Sequence, residues 1–203
     1  HLVLAGGGHT HALILRRWAM KPHLKPFGLI TLVSRSSTTI YSGMFPGVVS
    51  GKYSLDEVSI DIRTLAWNAG VAFVKTEIIG IDLLNKELLI AGRPSIDFSV
   101  LSLDLGSETN FQQQRFSAED NHLICPIKPF AKALTWINKQ DKYSQKASST
   151  PLAIVGAGLA GLEIAFALRQ RWPNRQLHLH SKFPPLSKKI RKYLVDFQID
   201  LKE

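Results

Sequence analysis

The sequence predicts an α/β fold with two Rossmann-like units, the first interrupted by a small β-meander and the second incomplete. Two glycine-rich turns lead to this prediction, because each lies between an apolar run of strand length and a helical pattern. The apolar runs are Leu2–Ala5 and Leu152–Val155, and the turns are residues 6–11 and 156–161.

The second turn contains all three glycines of the pattern G-x-G-x-x-G. Gly156 suits a tight turn, Gly158 lets the backbone approach a pyrophosphate, and Gly161 lets the helix pack closely on the strand. The phosphates are expected at the N-terminus of the helix, near Leu159. The pattern therefore predicts a dinucleotide-binding turn, with a plain strand-to-helix turn as the alternative.

The first turn keeps Gly6 and Gly8, whereas His11 takes the third glycine position. An imidazole there is expected to hold the helix farther from the strand or to splay outward. His9 and Thr10 open the helix, so the His9 side chain could reach a pyrophosphate; an exposed loop histidine is the alternative. Taken alone, this turn fits a dinucleotide site and a structural turn equally well.

The second strand of such a unit normally ends in an acidic residue that binds a ribose hydroxyl. Here Ser34 and Arg35 follow that strand in the first unit, and Ser181 and Lys182 follow it in the second. Serine can bond a hydroxyl, and a nearby lysine suits a 2′-phosphate. The second site is therefore compatible with NADPH as well as NADH.

Taken together, these segments resemble the pyridine nucleotide-disulfide oxidoreductase superfamily, FAD enzymes with a second dinucleotide domain inserted into the first. Within it, the chain is most similar to the branch around the type II NADH dehydrogenases. The turn GGGHTH, Ser34 with Arg35, and YSGMFPG at residues 41–47 are most similar to the version fused to selenide, water dikinase. The resemblance covers nearly the whole chain and implies FAD at the first turn and NAD(P)H at the second.

Further site residues are implied by the resemblance. The family usually has Ala-Thr-Gly-Ser where this chain has Asp-Leu-Gly-Ser at residues 104–107, so only Gly106 and Ser107 are carried over as contacts of the flavin phosphate. The backbone of Ile78 is expected to meet the adenine. Glu163 is expected to orient the nicotinamide ribose; a carboxylate favoured by the helix dipole is the alternative.

The stretch between the two turns follows the element order of the family. Its pattern predicts an amphipathic helix, three short strands and a buried strand. These elements are expected at residues 60–70, 71–74, 77–82, 87–90 and 98–104.

Cys125 is the one cysteine, so no disulfide can form within the chain, and we expect it to be a small buried apolar residue. The thiol-dependent branches of the family need cysteine beside the flavin, where this chain has Met44 and Phe45. We therefore expect the flavin to pass electrons directly to a small acceptor such as a quinone. No catalytic acid, base or nucleophile is identified, and His178 and His180 lack the third ligand that a metal site needs.

The net charge of +9 is concentrated in residues 139–203, which hold 12 basic and 5 acidic residues. Attraction for an anionic cofactor, a partner domain or a membrane surface is one interpretation, and a solvated helix face is the other. Nucleic acid is not an expected partner, because no recognised binding module accompanies the charge. A polar run at residues 139–150 predicts a linker. The predicted domains are an FAD-binding segment at 1–125, a connecting helix and linker at 126–150, and the start of an NAD(P)H-binding domain at 151–203.

We expect no signal peptide and a cytoplasmic location, with peripheral membrane contact and a homodimer as open alternatives. The apolar residues 152–168 carry Glu163 and are shorter than the about 20 residues of a membrane span, so they predict a strand, a turn and a helix.

In the family the chain returns from the inserted domain with a Gly-Asp segment that binds the flavin. Residues 151–203 hold only a β-α-β-α-β pattern, so the second unit is expected to be incomplete, in a fragment or in a protein completed by another chain. Three functions stay open: an FAD-dependent NAD(P)H oxidoreductase, a redox or regulatory domain of a bifunctional selenide, water dikinase, and a non-catalytic dinucleotide-binding interaction module.

Overall fold

A computed structural model describes most of the chain, and the residues it describes are 1–109, 123–144, 150–182 and 187–202. The chain divides into two compact units. Unit 1 contains His1–Tyr41 and Ser59–Ser107, and unit 2 contains Ser42–Val58 and Glu108–Glu203. The domain boundaries expected from the sequence stay predictions.

The described strands and helices alternate through most of the chain. The strands are β1 (Leu2–Ala5), β2 (Ile30–Ser34), β3 (Thr38–Ile40), β4 (Ser59–Asp61), β5 (Ala72–Lys75), β6 (Ile78–Asp82), β7 (Glu87–Ile90), β8 (Ile96–Asp97), β9 (Val100–Leu103), β10 (Leu152–Val155), β11 (Leu177–His180) and β12 (Ile199–Lys202). The helices are α1 (His9–Met20), α2 (Phe45–Val49), α3 (Ile62–Asn68), α4 (Phe130–Ser144), α5 (Leu159–Arg171) and α6 (Lys188–Asp196).

Unit 1 is built on a parallel sheet with the strand order β5-β2-β1-β9. Side chains alternate between the two faces of a strand, so neighbouring residues of β1 enter different clusters. Leu4 and Leu32 pack with Leu15 and other residues of α1 and α3. Val3 and Val33 pack on the opposite face against the antiparallel sheet β6-β7-β8. This small sheet is the meander that the sequence predicted.

The helix predicted at residues 60–70 begins later than expected, at Ile62. Residues 59–61 instead form β4, which pairs with β3 in a sheet that the sequence did not predict, since each strand has only three residues. The start of α3 is fixed by Asp61, whose Oδ1 accepts a hydrogen bond from Thr64 N at 2.9 Å.

Unit 2 contains a parallel sheet with the strand order β10-β11-β12. Helix α5 connects β10 to β11, and α6 lies between β11 and β12, so the predicted β-α-β-α-β order is confirmed. Its core includes Leu162, Ala165, Leu179, Leu194 and Ile199. Both units combine parallel strands with covering helices, and this confirms the predicted α/β fold class.

The first part of the linker predicted at residues 139–150 is helical, because α4 continues to Ser144. Ala133 and Ile137 are buried four residues apart, so one face of α4 is packed. Residues 145–149 of the predicted linker lie outside the described residues.

One charged cluster joins three helices of unit 2. The Asp141 carboxylate of α4 accepts hydrogen bonds from Arg171 Nε at 2.8 Å, from Arg171 Nη2 at 2.6 Å and from Trp172 Nε1 at 2.8 Å. Arg171 Nη1 also donates to the carbonyl oxygen of Val49, at the end of α2, at 3.0 Å. These bonds fix α2 and α4 on the end of α5.

We expect Asp141→Asn to lower the free energy of unfolding by about 1–2 kcal/mol near neutral pH, because Arg171 loses its charged partner. Hydrogen bonds from the Arg171 guanidinium hold the pKa of Asp141 below its ordinary value. The stabilisation is therefore present above the ordinary aspartate pKa of about 3.9 and is lost as the pH falls through the lowered pKa. Urea unfolding at several pH values measures this, with Asp56→Asn at an exposed carboxylate of unit 2 as the control. A wild-type advantage that stayed constant through the acid range would contradict the prediction.

Candidate functional site

The first glycine turn lies at the carboxyl end of β1, between the ends of β2 and β9. Gly6 has φ +101° and donates from its N–H to the carbonyl oxygen of Val33 at 2.8 Å. A Cβ on Gly6 would overlap the backbone carbonyl of Asp104, so only glycine fits. The turn is therefore enclosed by the two neighbouring strands, and its residues lead directly into α1.

Gly8 is required for a reason that the sequence did not predict. A Cβ on Gly8 would overlap the carboxylate of Asp104. The N–H of Gly8 donates to the Asp104 carbonyl oxygen at 3.1 Å, and the N–H of His11 donates to Asp104 Oδ2 at 3.0 Å. The position next to Gly8 is therefore occupied by a side chain of the protein itself, and a bulky residue at Gly8 would displace that side chain first.

His11 is buried inside unit 1, with 1% of its surface exposed, so the expectation that it splays outward is wrong. Its Nδ1 lies 2.7 Å from the carbonyl oxygen of Gly6, which can only accept, so this nitrogen carries the proton. The Nε2 atom then accepts a hydrogen bond from Ser102 Oγ at 2.9 Å. The imidazole replaces the third glycine of the pattern with a satisfied polar contact between α1 and β9.

His9 and Thr10 form the exposed first residues of α1. The His9 ring stacks on Tyr41 with a centroid separation of 4.5 Å and an interplanar angle of 30°. No described residue accepts a hydrogen bond from the backbone N–H of His9 or of Thr10. These two groups are open for an anion at the positive end of the helix.

Ser34 ends β2 at the same sheet edge as the first turn, but it is buried, with 7% of its surface exposed. Its Oγ accepts a hydrogen bond from the N–H of Ser36 at 3.4 Å. Arg35, the next residue, is exposed. The assignment of Ser34 and Arg35 to a ribose stays a prediction.

Gly106 and Ser107 follow β9 and are exposed at this same edge, with Gly106 at φ +77°. Ile78 begins β6, where it pairs with Ile90 and its side chain packs into the cluster beneath the meander. The structure thus gathers Gly106 and Ser107 near the first turn through the pairing of β9 with β1. Their contacts with a cofactor stay predictions.

The second glycine turn lies at the carboxyl end of β10. Gly156 has φ +108° and donates from its N–H to the carbonyl oxygen of His180 at 2.8 Å. A Cβ on Gly161 would overlap the carbonyl oxygen of Gly156, whereas a Cβ on Gly158 would meet nothing within 4 Å. Gly161 therefore provides the close packing of helix on strand, and Gly158 faces open space. Leu159, the first residue of α5, is exposed.

Ser181 and Glu163 lie in different parts of unit 2, Ser181 directly after β11 and Glu163 in α5. Ser181 follows β11, beside Gly156, and its N–H donates to the carbonyl oxygen of Lys202 at 3.0 Å. Glu163 is exposed on α5 and lines an open cleft of about 780 Å³ between α5 and α2. The cleft also contains Phe166, Ala167 and Gln170 of α5 and Pro46 and Gly47 of α2.

Cys125 is half-buried, and its burial raises the pKa of the thiol. A raised pKa disfavours the thiolate, which is the nucleophilic form. No group of three His, Cys, Asp or Glu side chains that could hold a metal occurs within the described ranges. Within those same ranges, no helix is both long and apolar enough to cross a bilayer; residues 152–168 form a strand, a turn and a helix, as predicted.

No protein-family model matches the chain. The chain is 25% identical over 201 residues to the NADH dehydrogenase-like protein YutJ of Bacillus subtilis, covering 95% of this chain and 54% of that protein. It is 29% identical over 119 residues to ferroptosis suppressor protein 1 of Mus musculus, covering 58% of this chain and 29% of that protein. The chain therefore spans about half of one relative, and the second match covers a smaller part of the other.

Among solved structures, the chain is similar to NDH2 from Plasmodium falciparum in complex with NADH. The TM-score is 0.72 at 14% identity, covering 98% of this chain and 47% of that chain. The match shows a fold of the FAD- and NAD-binding Rossmann-like kind. Together these comparisons show sequence similarity to YutJ and to ferroptosis suppressor protein 1, and a fold like that of NDH2.

We expect Gly161→Ala to destabilise unit 2 by about 1–3 kcal/mol, because the added Cβ overlaps the carbonyl oxygen of Gly156 and forces α5 away from β10. Gly158→Ala is the matched control, since its Cβ enters open space at φ −68°. Thermal unfolding of both variants measures the difference. Equal melting temperatures for the two variants would show that the close helix–strand contact is absent.

Proposed function

We propose that the chain is part of an FAD-dependent NAD(P)H oxidoreductase that works without a redox disulfide. FAD binds at the first turn, NAD(P)H binds at the second, and hydride passes from the nicotinamide to the flavin and then to a small acceptor such as a quinone. The observation that carries this proposal is the presence of two glycine turns, each leading from a parallel strand into a helix whose first backbone amides have no acceptor among the described residues.

The backbone of the first turn is suited to bind the pyrophosphate of FAD. The amides of His9 and Thr10 follow Gly8 at the sheet edge and have no acceptor among the described residues. An anion bound there would interact with the positive end of the helix. His9, held by its stack on Tyr41, would lie beside that anion.

The second turn fits the pyrophosphate of NAD(P)H. Gly158 faces open space and caps α5 with extended backbone, so a phosphate can approach the amides of Leu159 and the next residue. Ser181 would bond a ribose hydroxyl at the end of β11, and Glu163 would orient the nicotinamide ribose. The named relative is NADH dehydrogenase-like and the similar solved structure binds NADH, which supports a nicotinamide cofactor here.

When bound, the two cofactors supply the redox chemistry, and the chain supplies binding and orientation. Cys125 is not assigned a redox role, because its burial favours the thiol over the thiolate. The acceptor, the cytoplasmic location, peripheral membrane contact and a homodimer stay predictions. A fused selenide, water dikinase domain also stays a prediction, which rests on the GGGHTH turn, Ser34 with Arg35, and residues 41–47.

The direct test is the absorption spectrum of the intact protein. We expect a flavin spectrum that NADH or NADPH bleaches under anaerobic conditions and that a quinone restores. A colourless protein that does not take up added FAD would overturn the proposal and favour the non-catalytic binding module. A flavin spectrum that neither nucleotide bleaches would support FAD binding but overturn the proposal that NAD(P)H binds at the second turn and reduces the flavin.

Ser181→Glu should shift the nucleotide preference toward NADH. The added carboxylate would repel a 2′-phosphate and bond the ribose hydroxyls, while Lys182 stays in place. We expect the ratio of kcat/KM for NADPH to that for NADH to fall about tenfold or more, since a like charge opposes the phosphate. Ser181→Ala is the control, because it removes the hydroxyl without adding charge. An unchanged ratio in Ser181→Glu would place Ser181 away from the ribose.

A further inference from the structure

The carboxylate of Asp104 lies at the N-terminus of α1, where a phosphate of FAD is proposed to bind. Its Oδ2 accepts the N–H of His11 at 3.0 Å, and the rest of the carboxylate packs against Gly8. Gly8 is the N-cap of α1 and has no side chain to cap the helix. Asp104, which follows β9, therefore provides the cap that the glycine cannot provide.

The backbone and neighbours of Asp104 hold this carboxylate in place. Its N–H donates to the carbonyl oxygen of Ala5 at 2.8 Å, and its carbonyl oxygen accepts from Gly8 N at 3.1 Å. His11 is fixed in turn by Gly6 and Ser102, through both ring nitrogens. The carboxylate thus accepts a hydrogen bond from the first turn of α1, and that turn is itself hydrogen-bonded to β9 through His11 and Ser102.

The charge of Asp104 has no salt-bridge partner among the described residues. Its one hydrogen-bonded helix amide, that of His11, is the third of α1 and leaves the amides of His9 and Thr10 open. A pyrophosphate on those two amides would lie within the same helical turn as the carboxylate. Like charges at such a separation repel, and partial burial weakens the screening by salt.

We propose that Asp104 sets the FAD affinity of the first turn, because its carboxylate is a built-in anion that opposes the cofactor's pyrophosphate. This inference rests on the proposed FAD site. Asp104 stabilises the helix start without the cofactor and reduces the attraction of that start for phosphate. It is a positioning residue that lowers affinity, in contrast to a residue that binds the cofactor.

The substitution Asp104→Asn separates the charge from the cap, because an amide oxygen can still accept the N–H of His11. We expect FAD to bind the flavin-depleted intact protein about tenfold more tightly in Asp104→Asn than in wild type, since one unit of repulsion is removed. Titration of the apoprotein with FAD, followed by flavin fluorescence, measures this dissociation constant directly. If Asp104 only stabilised the structure, its substitution would weaken FAD binding. An increase in FAD affinity is therefore specific to the proposed role.

Asp82→Asn is the matched control in unit 1. The Asp82 carboxylate also accepts backbone hydrogen bonds, from Leu84 N and Asn85 N at 3.0 Å each, but it lies at the end of β6 in the meander. Its substitution should leave the FAD dissociation constant unchanged. Asp104→Ala, which restores the alanine that the family usually has, is a second variant and should also bind FAD more tightly than wild type.

The outcomes separate this inference from the proposed function. Tighter FAD binding by Asp104→Asn or Asp104→Ala, with Asp82→Asn unchanged, supports the inference. FAD binding by wild type that is equal to or tighter than that of both Asp104 variants overturns the inference and leaves the FAD site standing. If Asp82→Asn also bound FAD more tightly than wild type, the effect would be one of net charge in general, and the inference about Asp104 would be overturned. Absence of FAD binding in all of the proteins overturns both proposals.

Discussion

The whole arrangement depends on a steric constraint at the point where a buried strand turns into a helix. In unit 1 the backbone of Gly6 lies against the backbone of Asp104, and in unit 2 Gly161 lies against the carbonyl of Gly156. Neither place has room for a Cβ. Because β1 is paired on both sides, the residues that follow β1, β2 and β9 gather around the start of α1. The location of the candidate site is therefore a consequence of the strand order.

The two units satisfy this constraint in different ways. In unit 2 the third glycine allows the helix to rest directly on the turn. In unit 1 an imidazole fills that space, and a buried imidazole is tolerated only if its nitrogens are hydrogen-bonded. Gly6 and Ser102 supply those partners, so His11 links the turn, α1 and β9 in one network. A departure from the sequence pattern is here compensated by a residue of the neighbouring strand.

The sequence predicted the elements that local patterns determine and missed those that depend on tertiary contacts. The bounds of β1, β7 and β10 match the prediction, because each is a short, mostly apolar run next to a clear turn signal. The helix predicted at residues 60–70 spans only Ile62–Asn68, since residues 59–61 pair with β3. Helix α4 extends into the polar run at 139–150, since one of its faces is packed. Both differences are tertiary effects that a local pattern does not show. The contact of Asp104 with His11 joins residues 93 positions apart, and no local pattern indicates it. The sequence did show an aspartate at position 104, where the family that the chain resembles usually has alanine. This difference was the one sequence feature that pointed to an unusual contact at residue 104.

Fold similarity and site chemistry therefore rest on different residues. The likeness to solved structures at 14% identity follows from strand order and from glycines that the backbone requires. The attraction of a helix start for phosphate depends on what already occupies its amides, and in unit 1 a carboxylate takes one of them. Two turns with the same backbone path can thus differ in their affinity for anions. We therefore infer that, in this chain, the residue at the end of the neighbouring strand influences phosphate binding at the first turn in addition to the glycine pattern.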